Sequence, residues 1–426
     1  MPRIYRLAHK LCMLVLALFL MLPLSACKPP QQAGKVTIRF AYPSQFSADP
    51  AVSQSLADRY KALATAFHEQ NPQYTVKLVP LTWEQFTSIT VKDYDVLLNN
   101  DFSGYVERGN LRSLTPWISL EDKAWSEDYL PTILKPFERN GELWTLPWGL
   151  DPVILFYNRD LFTRNGVDVP QEGWTWSDFL DKADALTDAE NGVYGSVILN
   201  EYALVPAIIY QHGGQIFDDW SQPTLATLDD PRNIEALSWL QSLIYEYKVM
   251  PTRVEAIRMF GSGAINLYSG INKGKFGMWA SQYIDLGGVL WGTEGEWTVP
   301  WGAAPLPRDA QAATTVTAYQ LGISSQAADA DACWQWLKYM SQQLPPDIFL
   351  PARTSLRESF HTENSSSQEA FDAGSAALEG TLLISTGSSE NVKTAVDAFW
   401  TAVEAILYKG EPAEVQLQQA QKKAIQ

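Results

Sequence analysis

The chain has 426 residues, of which 46% are hydrophobic and 19% are charged, and its formal net charge is −16. This composition is typical of a globular protein that is long enough for two domains. The excess of acidic residues repels phosphate backbones and therefore disfavours nucleic-acid binding.

The first 22 residues have the pattern of an export signal. Arg3, Arg6 and Lys10 precede an apolar run over residues 11–22, with no acidic residue before it. A helix that spans a membrane needs roughly 20 apolar residues, so this run is too short for that purpose. We therefore predict a signal peptide over residues 1–26.

The apolar run ends in Leu-Ser-Ala-Cys, which resembles the lipobox of bacterial lipoproteins, whose cysteine sulfur carries a diacylglyceryl group. We expect Cys27 to be lipidated, residues 27–34 to form a tether, and the rest of the chain to lie outside the cytoplasm, facing the periplasm or the cell surface. An uncleaved anchor with an incidental cysteine is the alternative. Without residues 1–26, 29 basic residues remain against 48 acidic ones, a net charge of −19.

Cys333 is the one cysteine outside the predicted signal peptide and the predicted lipidation site, so no intrachain disulfide is expected. It precedes Trp336, Leu337 and Met340 at helical spacing. Free cysteine is usually buried, so we predict a packing residue rather than a nucleophile.

The apolar periodicity predicts alternating strands and helices, and the order strand, helix, strand near the start predicts a parallel crossover in an α/β sheet. We predict strands at residues 36–42, 74–78, 96–98, 153–157, 276–279 and 320–324, and helices at residues 56–67, 176–186, 231–248, 331–342 and 392–406. Thr175 and Asp178 have the spacing of a capping box at the start of the second helix. Residues 361–368 form the most polar loop.

Catalytic patterns are missing from the sequence. His68, His212 and His361 are far apart, and neither a paired-cysteine zinc spacing nor a Gly-x-Ser-x-Gly elbow is present. We therefore expect no catalytic residue, no metal and no cofactor. The 16 Trp, 18 Tyr and 17 Phe residues instead suit a polyhydroxylated ligand, because an aromatic ring packs on the C–H face of a sugar while carboxylates accept from its hydroxyls.

Ligands of α/β sheets bind beyond the carboxyl ends of parallel strands, where the connecting loops diverge. This rule directs attention to Tyr42, to Asn99 and Asp101, and to the loops near Asp151.

Several short motifs carry a family resemblance. Leu-Phe-Tyr-Asn-Arg-Asp-Leu-Phe at residues 155–162 is followed by Gly-Trp-Thr-Trp-Ser-Asp-Phe at residues 173–179. Further landmarks lie, in order, at residues 95–98, 109–111, 141–147, 212–214, 275–278, 305–307 and 350–353. From about residue 36 to residue 409, the chain resembles the family 1 extracellular solute-binding proteins, the sugar receptors of ABC importers.

This resemblance implies an α/β fold with two lobes, each a mixed sheet flanked by helices, and a ligand cleft at the hinge: the type II periplasmic-binding-protein-like fold. It implies strands that cross between the lobes near residue 150 and over residues 314–319. The implied lobe 1 comprises residues 35–149 and about 318–345, and the implied lobe 2 comprises residues 150–317 and about 346–426.

The resemblance also implies roles for single residues. Asp101 and Asp151 match sugar-binding acids, while Tyr202 and Trp400 match stacking aromatic residues. Trp400 also borders the apolar stripe of its helix, so packing is the alternative role there, and Asp101 is also placed to cap the next helix.

A third stacking aromatic residue is implied after Met278. Tyr283 lies near that position, with Trp279 as its competitor. Asn99 stands where some relatives have an aromatic residue, which argues against assigning a maltodextrin ligand to this protein by resemblance alone. Arg353 either contacts the ligand or pairs with an acid.

The implied function is that of a lipid-anchored, monomeric receptor that binds a sugar or oligosaccharide and delivers it to ABC permease subunits without transforming it. One alternative is a lyase or glycosidase that uses Asp101 and Asp151 as its two carboxylates. The other is a receptor of the same fold for a cationic solute such as a polyamine, which the acidic composition permits.

Overall fold

The computed structural model describes residues 35–44, 50–87, 91–102, 104–219, 223–261, 264–288, 297–383 and 390–424. The predicted signal peptide, Cys27 and the tether lie outside these residues. No helix in the described part of the chain is both long enough and apolar enough to cross a bilayer.

The strands form one large mixed sheet and a separate short hairpin. The strands are β1 (Val36–Pro43), β2 (Tyr74–Leu81), β3 (Val96–Asn99), β4 (Glu138–Arg139), β5 (Glu142–Leu143), β6 (Leu146–Asn158), β7 (Tyr194–Ile198), β8 (Phe276–Gln282), β9 (Trp301–Ala304), β10 (Thr314–Ile323), β11 (Leu350–Pro351) and β12 (Thr381–Leu383). The order in the large sheet is β2-β1-β3-β10-β6-β8-β7, with β9 and β11 paired to β6 and β12 paired to β10.

Helices cover both faces of this sheet. They are α1 (Pro50–Gln70), α2 (Trp83–Thr87), α3 (Thr115–Ile118), α4 (Lys123–Glu127), α5 (Pro131–Leu134), α6 (Arg159–Asn165), α7 (Trp176–Leu186), α8 (Glu201–Gln211), α9 (Pro231–Tyr245), α10 (Arg253–Phe260), α11 (Ala264–Asn272), α12 (Ala330–Ser341), α13 (Thr354–Ser359), α14 (Ser365–Ala377), α15 (Glu390–Lys409) and α16 (Ala413–Ala424). Short 3₁₀ turns lie at Val91–Asp93, Lys135–Phe137, Ala189–Asn191, Tyr283–Gly288 and Leu378–Gly380.

The N-terminal crossover predicted from the sequence is confirmed. β1 pairs in parallel with β2 along its whole length, and α1 connects the two strands. Phe40 and Phe67 are buried between the sheet and α1, which explains why apolar residues recur with a period of two in the strand and at helical spacing in the helix.

β6 and β10 join the two sides of the sheet. They run antiparallel, and Thr317 lies opposite Asp151. The far end of β10 pairs with β3, and the far end of β6 pairs with β8, so β3 and β8 are held on opposite sides of the same strand pair. The residue limits of the two lobes stay a prediction, because both of these strands run from one side of the sheet into the other.

Local signals were read correctly at α7 and around Cys333. Thr175 accepts from the backbone N–H of Asp178, and the carboxylate of Asp178 accepts from the backbone N–H of Thr175, which is the predicted capping box. Cys333 is buried on α12 beside Trp336, as predicted.

Two C-terminal segments differ from the prediction. α14 begins at Ser365, inside the predicted polar loop, because Asn364 accepts from the backbone N–H of Ser367 and caps the helix. α16 follows α15 and packs against it, although no helix was predicted there. Its buried residues are only Ala413, Leu417 and Ala420, too few large apolar side chains for a clear periodic signal.

Candidate ligand-binding site

Asp151 lies fully buried where β6 crosses β10. Its Oδ1 accepts from the backbone N–H of Ile284 at 2.8 Å, and its Oδ2 accepts from Nε2 of Gln282, also at 2.8 Å. Burial raises the pKa of Asp151 well above its usual value, although the N–H donors partly offset this effect. Both carboxylate oxygens are therefore occupied by groups of the protein itself.

Gln282 connects Asp151 to two further polar side chains. Its Nε2 also donates to Oγ1 of Thr317 at 3.2 Å, and its Oε1 accepts from Nδ2 of Asn200 at 3.3 Å. Gln282, Thr317 and Asn200 are half-buried, so this polar network borders accessible space. We call these three residues and Asp151 the hinge network.

Tyr202 and Trp400 form an aromatic pair. Tyr202 lies at the start of the helix that follows Asn200. Tyr202 is in the first turn of α8 and 61% exposed, and Trp400 is half-buried on α15. Their ring centroids are 4.4 Å apart with a 49° angle between the planes. Oγ1 of Thr315 donates to the carbonyl of Ala203 at 2.7 Å and so fixes the start of α8 on β10. The two residues that were predicted to stack on a ligand are therefore adjacent in space.

The strand-end residues occupy the other side of β10. Asn99 ends β3 opposite Gln320, three positions along β10 from Thr317. The Oδ1 of Asn99 accepts from the backbone N–H of Asp101 at 3.0 Å, and Asp101 is exposed. Tyr42, near the end of β1, is buried with its ring centroid 4.2 Å from that of Tyr60.

The structure separates the two candidates for the third stacking residue. Trp279 has no exposed surface, and its ring packs between Phe156 and Trp297, so no face of it is open to a solute in this conformation. Tyr283 is also buried, yet it directly follows Gln282 of the hinge network. Burial, with the negative charges of Asp347, Asp151 and Asp372, raises the pKa of Tyr283. The ligand role of either residue stays a prediction.

Arg353 pairs with an acid, which is one of the two roles considered for it, and its contact with a ligand stays a prediction. It is buried, its Nη1 lies 3.1 Å from Oδ2 of Asp128, and its guanidinium lies over the rings of Trp125 and Tyr129 at 4.4 and 4.6 Å from their centroids. Nε also donates to the carbonyl of Ser341. These contacts occupy the guanidinium on several sides and join residues of the predicted lobe 2 to residues of the predicted lobe 1.

Sequence reasoning missed Gln282 and Asn200 as site residues and named Thr317 only as part of a crossing segment. A usable signal was present at Gln282, because the polar residues Ser281 and Gln282 end an apolar run over residues 276–280. In the described part of the chain, no group of three or more His, Cys, Asp or Glu residues is arranged to hold a metal ion.

Comparison with known proteins places the chain in a family. It belongs to the bacterial extracellular solute-binding proteins, whose sequence profile matches residues 53–343, more than half of the chain. The family is described as one of solute-binding proteins, and both structural neighbours below are named as binding proteins.

Solved structures agree with this membership. An ABC substrate-binding protein from Listeria monocytogenes in complex with cycloalternan has a TM-score of 0.68 and 21% identity, over 92% of this chain and 98% of that chain. A cyclo/maltodextrin-binding protein complexed with maltotetraose has a TM-score of 0.71 and 14% identity, over 91% and 96% of the two chains. The fold is therefore the two-lobed type II periplasmic-binding-protein fold, which confirms the predicted fold class.

Similar sequences are matched over shorter stretches. An arabinooligosaccharide-binding protein from Halalkalibacterium halodurans is 26% identical over 26% of this chain and 24% of its own length. A mannitol-binding protein from Pseudomonas aeruginosa is 24% identical over 39% of this chain and 40% of its own length. The chain thus matches well under half the length of either relative.

Proposed function

We propose that this protein is the lipid-anchored, extracytoplasmic substrate-binding component of an ABC importer, and that it binds a sugar or oligosaccharide as a monomer and delivers it to the permease. The observation that carries this proposal is the partly exposed aromatic pair Tyr202 and Trp400, with Tyr202 two residues after Asn200 of the uncharged amide and hydroxyl groups in the hinge network. The names of the relatives support it, since they include proteins that bind arabinooligosaccharide and mannitol.

The two parts of this surface suit two parts of a sugar. An aromatic face packs on the C–H groups of a pyranose ring, and the amides and hydroxyl exchange hydrogen bonds with its hydroxyls. A solute that contacts both sides of the β6–β10 crossing favours the state in which the two lobes close on it over the state in which they are open. A ligand shifts such an equilibrium only through its differential affinity for the two states.

A cationic solute is the second candidate. Burial and then the nearby acids Asp347, Asp151 and Asp372 raise the pKa of Tyr283, so further carboxylates lie near the hinge network. The glycosidase alternative receives less support, because the carboxylate oxygens of Asp151 are both occupied by N–H donors inside the protein.

Thermal unfolding of the purified protein with arabinotriose, maltotetraose, mannitol or spermidine tests this proposal. A ligand at about a hundred times its dissociation constant adds roughly 2.7 kcal/mol to the stability of the folded state. We expect a raised midpoint with at least one of the three neutral solutes, and no consumption of that solute on prolonged incubation. A shift with spermidine alone contradicts the sugar assignment, and conversion of the solute contradicts the binding role.

The lipid anchor is tested separately. Cys27→Ser should move the protein from the membrane fraction to the soluble fraction, whereas Cys333→Ala, a change at the buried cysteine, should leave it with the membrane. Membrane association of the Cys27→Ser protein would contradict lipidation at this residue.

A further inference from the structure

The hydrogen-bonding capacity of the hinge network is not fully used within the protein. The amide of Gln282 has two N–H donors and one carbonyl oxygen. The donors are directed at Asp151 and Thr317, at 2.8 and 3.2 Å. The carbonyl oxygen accepts one hydrogen bond, from Asn200, and a carbonyl oxygen can accept two. One acceptor position on Gln282 therefore remains.

Thr317 complements this acceptor. Its Oγ1 accepts from Gln282, so its own hydroxyl hydrogen must point elsewhere. Among the described residues, none accepts that hydrogen. Thr317 and Gln282 are both half-buried and hydrogen-bonded to each other at 3.2 Å, so the unused donor and the unused acceptor belong to adjacent, partly exposed side chains.

Asp151 determines which way the amide of Gln282 faces. Both oxygens of Asp151 accept from N–H groups, one of them Nε2 of Gln282, so the NH₂ end of the amide points toward Asp151 and the carbonyl oxygen points away. Asp151 itself is buried and already occupied, so it acts on a solute through Gln282 and presents no charge of its own.

We infer that Oε1 of Gln282 and the hydroxyl of Thr317 form a subsite for a hydroxyl group of an uncharged solute, with Asp151 as the positioning residue. A hydroxyl both donates and accepts, and so satisfies both groups. An ammonium group cannot accept from Thr317, and a carboxylate cannot donate to Gln282. This inference rests on the proposed function and specifies it further: the solute is neutral where it meets the β6–β10 crossing.

Three substitutions at two residues test the subsite directly. Thr317→Val removes the donor at nearly constant volume and should weaken binding of the neutral solute by about tenfold, the effect of one hydrogen bond whose partner is left unpaired. Thr317→Ser keeps the hydroxyl and should stay within about threefold of the wild type. Gln282→Glu removes the N–H donors, places a second carboxylate beside Asp151 and should also weaken binding by at least about tenfold.

The measurement is titration calorimetry of the purified protein with arabinotriose, maltotetraose, mannitol and spermidine. Gln326→Glu is the matched control, because it makes the same change at an exposed residue beyond the end of β10. Thermal unfolding without solute verifies that each variant is folded.

The positioning role of Asp151 is tested by a measurement whose result a purely structural role would not change. The side-chain amide signals of Gln282 in a ¹H–¹⁵N spectrum, identified by their absence in Gln282→Glu, should shift and exchange faster with solvent in Asp151→Asn. The same signals should be unchanged in Gln326→Glu.

The outcomes separate this inference from the proposed function. If the wild type binds a neutral solute and the folded Thr317→Val and Gln282→Glu proteins bind it equally well, the hydroxyl subsite is wrong and the sugar-binding function stands. If the wild type binds none of the three neutral solutes, the proposed function and the subsite both fail. Weaker binding in both variants, with binding retained in Thr317→Ser, supports the subsite.

Discussion

Tyr202 and Trp400 lie ring to ring, 4.4 Å between centroids, although they belong to helices from distant parts of the chain. The edge of Trp400 also contacts Phe399, whose centroid is 5.0 Å away, and this contact anchors the indole on α15. Tyr202 keeps most of its surface open to solvent. The pair therefore combines a supported ring with an exposed one.

Truncation of either ring should weaken solute binding. We expect Tyr202→Ala and Trp400→Ala each to raise the dissociation constant by about tenfold, because an aromatic stacking contact contributes on the order of 1 kcal/mol beyond the area that it buries. Calorimetry with the solute that stabilises the wild type is the measurement. Tyr247→Ala, another exposed tyrosine, is the matched control and should bind normally. Equal affinity in all four proteins would remove the aromatic pair from the site.

Arg353 should determine stability rather than affinity. Arg353→Met leaves the carboxylate of Asp128 without its buried guanidinium and should lower the free energy of unfolding by about 3 kcal/mol. Arg232→Met breaks an ion pair on the surface and should cost clearly less than Arg353→Met. Urea unfolding measures both. A loss of solute affinity in folded Arg353→Met protein, without a loss of stability, would instead assign Arg353 to the ligand.

Features with local causes could be predicted from the sequence. The capping box of Thr175 and Asp178 needs only two side chains three residues apart, and β1 with α1 needs only the periodicity of one segment. The α/β class follows from the order of such segments. The separate stacking roles of Tyr202 and Trp400 came from the resemblance, whereas their contact with each other was not predicted, since nothing in either segment specifies the other.

Features that depend on contacts distant in sequence could not be predicted. Gln282 acquires its role because Asp151, Thr317 and Asn200 converge on it from separate strands and a loop. The choice between Trp279 and Tyr283 likewise depends on what packs over each ring, which periodicity does not reveal. The hinge network is therefore visible only after the strands are paired.

Asp285 should make stability fall as the pH rises through the acidic range. It is buried, accepts from the hydroxyls of Tyr268 and Ser281, and burial raises its pKa to about 6. The folded state thus holds this proton more tightly than the unfolded chain, whose aspartates titrate near pH 4, so folded stability drops between about pH 4 and 6 and then levels off. The raised pKa of Asp151 acts in the same direction.

Asp285→Asn should remove part of that slope. Between about pH 4 and 6.5 the wild type should lose up to roughly 3 kcal/mol more stability than the variant. Urea unfolding at intervals across this range gives both curves. Parallel curves would show that Asp285 titrates alike in the folded and unfolded chains.

His212 should stabilise the folded protein more at low pH than at high pH, which is the opposite of what an unpaired buried histidine would do. It is the C-cap residue that directly follows α8, and its ring nitrogens contact the carboxylates of Asp309, on the loop that leads into β10, and of Glu235 on α9. Partial burial lowers the pKa of His212, but the hydrogen bonds that its ring N–H groups donate to these two acids outweigh burial, so the pKa is raised above 6.5. The stabilisation is fully present below about pH 6.5 and is lost as the pH rises through the raised value.

His212→Asn should therefore destabilise the protein more at pH 6 than at pH 9. The difference should stay below about 1 kcal/mol, because all three side chains are partly exposed and solvent screens the pair. His361→Asn, a change at an exposed histidine, controls for the loss of an imidazole. Since α8 carries Tyr202 at its other end, calorimetry at both pH values also shows whether the contact of His212 with Asp309 influences the aromatic pair. A stability loss in His212→Asn that is equal at pH 6 and pH 9 would exclude a protonated imidazole as the source of the stabilisation.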